Sequence, residues 1–277
     1  MRAQRPVVSP SGVINHLWVQ YSETIRLERM CLISFAWQQG QHQLVMMANR
    51  DEFHQRPTAA SHWWPEQPNM LAGKDLVAGG TWLGITENGY FAALTNVRQL
   101  PNDRQGQISR GHLVKDFLAQ QISPMQYLEQ IAKKQDRYDG FNLIVGNQHQ
   151  CGYFSNHNGI EPQQLAPGIY GLSNASLDTP WPKTQYAKAQ MQQAIFKGDV
   201  SPKLERTQPY PMEQQPDTGI GQPWETLLSS PFIISPNYGT RSSTLLSIND
   251  GQVRWQERSY DASGKEIERV HTSFEIK

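Results

Sequence analysis

Residues 30–52 read Met30-Cys31-Leu32-Ile33-Ser34-Phe35-Ala36-Trp37-Gln38-Gln39-Gly40-Gln41-His42-Gln43-Leu44-Val45-Met46-Met47-Ala48-Asn49-Arg50-Asp51-Glu52. Two short apolar runs, 32–37 and 44–48, flank a polar turn containing Gly40. That is the pattern of a β-hairpin. Pairing 31–37 with 43–49 returns the end of the second strand to the start of the first, so Asn49-Arg50-Asp51-Glu52 comes back beside Cys31.

Outward from this hairpin the pattern stays structured. A polar stretch punctuated by Pro57, Pro65 and Pro68 reads as a loop. Gly79-Gly80 then leads into Thr81-Trp82-Leu83-Gly84-Ile85-Thr86. Asn88-Gly89 signals a type I′ turn, because both central positions need positive φ, and 90–95 reads as the returning strand. Ser109 is placed to cap a helix with apolar face Leu113, Val114, Phe117 and Leu118. Ser123-Pro124-Met125-Gln126 opens a second helix that turns Tyr127, Leu128 and Ile131 inward. Strands are expected at 141–145, 151–154 and 168–173. A third helix over 183–197 aligns Ala187, Met191, Ala194 and Ile195 and stops at Gly198. Residues 199–223 are polar and proline-rich, the composition of a long surface loop. Strands return at 244–248, 253–257 and 270–276, the first two joined by Asn249-Asp250-Gly251. Hairpins in series with helices between them predict antiparallel or mixed sheet with helices packed outside, not alternating βαβ units.

The 277 residues are 38% hydrophobic and 10% aromatic, enough for a sizeable core. Lys plus Arg number 25 and Asp plus Glu number 25. A balanced chain has no general attraction for nucleic acid or anionic lipid. No window approaches the roughly 20 apolar residues of a membrane-spanning helix. The two cysteines, Cys31 and Cys151, make no disulfide framework, and a reducing compartment, most simply the cytoplasm, is expected. Residues 1–29 lack periodicity, a continuous apolar h-region and a small-residue cleavage site. Met1 to Ser22 carries Arg2 and Arg5 and no acidic residue, as transit peptides do, but 1–29 reads more simply as a disordered extension or an upstream mis-start. The expected organisation is therefore a 1–29 extension and a single domain over 30–277.

Familiar chemistry is absent: there is no GxGxxG, Walker A, HExxH or GxSxG segment. His149, Cys151 and His157 fall on strand–turn–strand sequence and read as structural residues, so no metal site is expected. Cys31 remains. Free cysteine is most often a small buried hydrophobe, and no histidine lies near it to act as base. A nucleophile at the chain's own amino terminus needs none, since its α-amine, with a reference pKa of about 7.7–8.0, takes the proton. Cys31 follows Met30, so a chain started at Met30 and stripped of it would carry that amine. Arg50 could then favour a thiolate and Asp51 could orient an ammonium. The plainer alternative is a turn held by a surface Arg–carboxylate pair.

Met30-Cys31-Leu32-Ile33, Asn49-Arg50-Asp51-Glu52-Phe53 and Arg56-Pro57 resemble the NRDE family, also called the transport and Golgi organisation protein 2 family. The resemblance continues in Gly79-Gly80-Thr81-Trp82-Leu83-Gly84, Ala93-Leu94-Thr95-Asn96 and Gly140-Phe141-Asn142-Leu143-Ile144. It runs on through Tyr170-Gly171-Leu172-Ser173-Asn174, Thr179-Pro180-Trp181 and Tyr238-Gly239-Thr240-Arg241. These motifs span nearly all of 30–277 in order. The resemblance implies an α+β fold, the four-layer αββα sandwich of the N-terminal-nucleophile (Ntn) hydrolases, with Met30 as the natural start. Among those hydrolases it is similar to the cysteine enzymes that cleave linear amides. By that likeness Cys31 would be the nucleophile and its amine the base, with Arg50 and Asp51 beside the thiol. Asn174 would donate to the oxyanion, Asn96 could add a donor, and Arg241 would be a second cation. Asn96 and Asn174 taken alone are ordinary strand-end residues, and Arg241 an ordinary loop residue.

Two functions follow from the resemblance. One is an Ntn-type amidohydrolase that needs no cofactor. The other is a non-catalytic carrier or chaperone on the same fold, for haem or another amphipathic ligand, since some family members are linked to haem movement or lipid homeostasis. The eight Trp and ten Tyr could line such an apolar site. A small-molecule or amphipathic partner is expected in either case, and nucleic acid in neither.

Overall fold

The computed structural model describes residues 30–98, 106–198 and 203–277. The expectation for 1–29 lies outside the described residues. The chain runs β1 (Met30–Gln39), β2 (His42–Phe53), β3 (Thr58–Trp64), β4 (Gln67–Asp75), β5 (Leu83–Thr86) and β6 (Phe91–Asn96). Two helices follow, α1 (Gly111–Gln120) and α2 (Pro124–Ala132), then β7 (Phe141–Gly146), β8 (Cys151–Ser155), β9 (Gln163–Gln164) and β10 (Gly168–Leu172). After α3 (Pro182–Lys197) and α4 (Gln222–Ser229) come β11 (Tyr238–Asn249), β12 (Gln252–Tyr260) and β13 (Glu266–Glu275).

The strands form two antiparallel sheets, one of six strands in the order β10-β1-β2-β11-β12-β13 and one of seven in simple succession from β3 to β9. Helices α1 and α2 cover the outer face of the seven-stranded sheet and α3 covers β1 and β10 on the other. The layers are therefore αββα, the order expected from the resemblance. Pleating assigns each face. Ile33, Phe35 and Trp37 of β1 meet Ile85, Phe91 and Ile144 between the sheets, whereas Leu32 and Ala36 meet Ala187 and Met191 of α3. A strand covered on both sides carries apolar residues at both parities, which is why 32–37 is apolar except at Ser34, whose hydroxyl donates to the Tyr170 carbonyl. Helix α4 joins Met30 and Tyr238 through Trp224 and Leu228.

The central hairpin and the three periodic helices stand where the sequence places them. The chain also turns at 88–89, but not as type I′, since Gly89 has positive φ and Asn88 does not. Three further expectations are corrected. The proline-punctuated stretch is the hairpin β3–β4, because Pro57 precedes β3, Pro65 sits in its turn and Pro68 enters only at the start of β4. Residues 199–223 are not simply surface loop, since Leu204 and Ile220 are buried and α4 begins at Gln222. Neither serine caps its helix through its side chain. Arg110 holds the N-cap position of α1, and the Ser123 hydroxyl turns to Gln150.

Candidate functional site

The register of the central hairpin pairs Cys31 with Arg50 and Met30 with Asp51. Because side chains alternate along a strand, the Asn49-Arg50-Asp51-Glu52 segment divides between two faces. Arg50 and Glu52 follow the parity of Met46 and Ala48, and share the inter-sheet side with Cys31. Asn49 and Asp51 follow Val45 and Met47 toward the helix side. The sequence reading set Arg50 and Asp51 together beside the thiol, but adjacent residues of one strand cannot share a face.

On the inter-sheet side Cys31 opens on a cleft of about 30 Å³, lined also by Arg50, Asp75, Gly80, Thr81, Trp82, Leu94, Asn96 and Gly111. That is room for roughly two waters. The Arg50 guanidinium lies 4.3 Å from the Trp82 ring centroid and 3.4 Å from Glu52 Oε2, while its Nη1 has no hydrogen-bond partner. Glu52 also meets Arg56 at 3.6 Å, and Arg56 meets Asp75 at 2.7 Å, so a chain of alternating charges links Arg50 to Asp75, the two charged residues of the cleft wall. The wall closes where Gly80 meets the start of α1. A Cβ on Gly80 would stand 2.6 Å from the Gly111 carbonyl carbon, so this approach requires glycine. It brings the N-terminal end of α1, the positive pole of the helix, to the cleft.

On the helix side Asp51 accepts a 2.6 Å hydrogen bond from Thr240 Oγ1, while its Oδ2 has no partner. Met30 is buried, and its N–H donates to the Tyr238 hydroxyl at 3.0 Å. Arg98 pairs with Glu225 at 2.5 Å and lies 4.8 Å over Trp181. Lys183 is buried with no hydrogen-bond partner for Nζ.

The structure brings Cys31, Arg50 and Asn96 to one cleft. Asn174 stands behind it, donating from Nδ2 to the Asn96 carbonyl at 2.9 Å while its Oδ1 accepts from Ser173 Oγ at 3.0 Å. Arg241 donates through Nη1 to the carbonyls of Phe53, His54 and Arg56, so it braces the turn after β2 and does not line the cleft. The thiol itself is pushed up to about 12, by burial first and by the Asp51 charge second, and Arg50 with a backbone hydrogen bond from Asp51 only partly offsets this. The expectation that Arg50 would favour the thiolate is thus outweighed in a chain whose Cys31 nitrogen is an amide.

Sequence reading missed Trp82, Arg98, Lys183, Glu225 and Tyr238. One signal was present: Lys183 falls in the first turn of a helix, where the macrodipole disfavours a cation.

The coordinates are similar to those of a Caenorhabditis elegans N-acylethanolamine-hydrolyzing acid amidase ortholog, with 10% identity and a TM-score of 0.44 over 77% of this chain and 92% of that one. In sequence, the Transport and Golgi organization protein 2 homolog of Bos taurus is 35% identical over 258 residues, spanning 83% of this chain and 93% of the relative. The Homo sapiens homolog is 33% identical over 257 residues with the same coverage. The model of the family described as Transport and Golgi organisation 2 matches residues 30–262, and this chain belongs to that family.

Proposed function

We propose that the chain, once it begins at Cys31, is a cysteine-type amidohydrolase acting on a linear amide. The observation that carries this reading is the shared cleft of Cys31, Arg50 and Asn96 at the Met30 end of β1. Cys31 is 7% exposed there, whereas Cys151 is fully sealed. With Met30 gone, the Cys31 α-amine takes the thiol proton, and the thiolate attacks the amide carbonyl. The C–S bond forms as the carbonyl becomes an oxyanion, which Asn96 and the positive end of α1 favour. Collapse breaks the C–N bond, and the ammonium gives its proton to the leaving amine. Water, deprotonated by the same α-amine, then forms a C–O bond to the thioester carbon as the C–S bond breaks, and the ammonium returns its proton to the Cys31 thiolate.

The carrier reading needs a haem ligand. The residues lining the Cys31 cleft include no histidine or other customary haem ligand besides the buried thiol, which favours the hydrolase reading. Cytoplasmic residence is proposed with this reading, because a reducing compartment keeps both cysteines as free thiols. Among the described residues no helix is long and apolar enough to cross a membrane.

The test is peptide mapping after brief iodoacetamide treatment at neutral pH. It uses the 277-residue chain and a chain starting at Cys31, alongside hydrolysis of a series of linear N-acyl anilides. Cys31 should label faster than Cys151 only in the shorter chain, and Cys31→Ala should abolish anilide hydrolysis with folding retained. Equal, slow labelling of both cysteines in the shorter chain sinks the assignment. A saturable Soret shift on haem addition, without hydrolysis, would favour the carrier.

A further inference from the structure

The helix side of the Met30 end holds two buried groups that the cleft does not use. Lys183 is 2% exposed and Asp51 fully buried, and both Lys183 Nζ and Asp51 Oδ2 lack hydrogen-bond partners. An unpartnered buried charge is costly, and two of opposite sign in one region call for a joint explanation. The charged and titratable groups facing Lys183 are Arg98 beyond β6, Asp51 on β2, Cys31 on β1 and Glu225 on α4. Arg98 and Glu225 are tied to each other by an ion pair. Lys183 lies on the buried stripe of α3 with Ala187 and Met191, which packs against Leu32, Val45 and Met47, and Asp51 follows Val45 and Met47 onto that same side of β2, which makes it the counter-charge of Lys183. Burial lifts the Asp51 carboxyl above its ordinary value, and among the groups opposing that rise Lys183 comes first, ahead of Thr240 and Arg50. Burial and Arg98 in turn press Lys183 below the usual ammonium range, with Asp51 pulling it back.

We propose that Lys183 is a positioning residue for Cys31, its buried ammonium holding Asp51 as the carboxylate that receives the Cys31 amino group. This rests on the reading of Cys31 as an amino-terminal nucleophile. Asp51 is the register partner of Met30, so removing Met30 leaves the new amine at the strand end beside that carboxylate. The base must be neutral to act: the S–H bond breaks, an N–H bond forms, and a neutral pair becomes thiolate and ammonium. Asp51 stabilises the ammonium, while the like charge of Lys183 keeps the resting amine from being protonated too readily. Lys183 touches neither thiol nor substrate. It sets the charge of the group that does the orienting.

The test begins on the 277-residue chain with a ¹³C NMR titration of the Asp51 carboxyl, assigned with Asp51→Asn. Replacing Lys183 by Met should raise the midpoint by about one pH unit or more, while Lys183→Arg should leave it near the wild-type value. An unchanged midpoint in Lys183→Met, with the fold intact by thermal melting, overturns the proposal. If Lys183→Met does not fold, Lys183→Gln takes its place with the same two outcomes. In the chain starting at Cys31, the acid limb of Cys31 alkylation by iodoacetamide should move in Lys183→Met and not in Lys183→Arg. Preferential Cys31 labelling whose pH profile ignores Lys183 overturns this proposal alone. Absence of preferential labelling in the wild-type chain overturns the nucleophile reading instead.

Discussion

Strands β1 and β2 begin and end in opposite environments. Toward the Trp37–Leu44 end the side chains between the sheets are apolar from Ile33 to Trp37 and from Leu44 to Ala48, with the buried ring of His42 beyond them. Trp37 sits 6.2 Å from Phe91 by ring centroids, and both are buried. At the Met30–Asp51 end, on the same two strands, Arg50, Asp51, Glu52, Arg98, Lys183 and Glu225 are all buried. Several of their polar atoms lack hydrogen-bond partners. The first end follows the rule that burial stabilises when the surface is apolar. The second departs from it, since charge taken out of water is costly unless paired. That concentration of buried charge at one end of a sheet is what marks it as the candidate site.

Three substitutions test how far the ends are independent. The largest effect is expected at the apolar end. Phe91→Ala should cost about 4 kcal/mol in urea unfolding, from lost burial and the cavity left beside Trp37. It should leave the iodoacetamide rate of Cys31 unchanged in the chain starting there. A changed rate would mean the ends are coupled through the core.

Next is Arg98→Met, expected to cost about 3 kcal/mol because Glu225 is left buried without its partner. Glu225 would keep its bonds from Thr218, so the cost is held to that range. This variant, unlike Phe91→Ala, should also alter Cys31 labelling, since it removes a like charge from Lys183. Loss below about 1 kcal/mol in the same urea measurement would show that the pair behaves as an exposed one.

The smallest effect concerns Glu257, which joins the two sheets by accepting from Ser61 N at 2.7 Å and Thr244 Oγ1 at 3.2 Å. Burial raises its carboxyl pKa, with these hydrogen bonds and Arg50 opposing. A carboxyl raised on folding contributes stability in full below its unfolded pKa of about 4.3, and loses it as pH rises through the folded value. Between pH 4 and pH 7 the wild type should therefore lose stability relative to Glu257→Gln, read from urea midpoints at both pH values. Parallel pH dependence in the two proteins would place Glu257 with the ordinary, paired carboxylates and detach it from the charged end.

The amino-acid sequence by itself determined whatever depends on near neighbours. The hairpin of 30–52 was legible because its apolar runs and polar turn lie within one short stretch, and its pairing alone returned Arg50 to Cys31. Helices α1, α2 and α3 showed their apolar stripes at helical spacing, and Gly198 ends α3 at positive φ as a helix-stop glycine should. The layer order came only by way of the family resemblance. Hairpin β3–β4 was hidden because prolines outside a strand body look, in sequence, like prolines within one. The tertiary structure alone decided the company of the buried charges. Asp51 is 132 positions from Lys183 and 189 from Thr240, and no local period relates them. Only the pairing of β2 with β11, which sets Asp51 opposite Thr240, and the seating of α3 on β1 bring them into one region. A lysine in the first turn of a helix is ordinary in water. Here packing removes the water and sets the ammonium among Arg98, Asp51 and Glu225, where burial and Arg98 press it below its usual range.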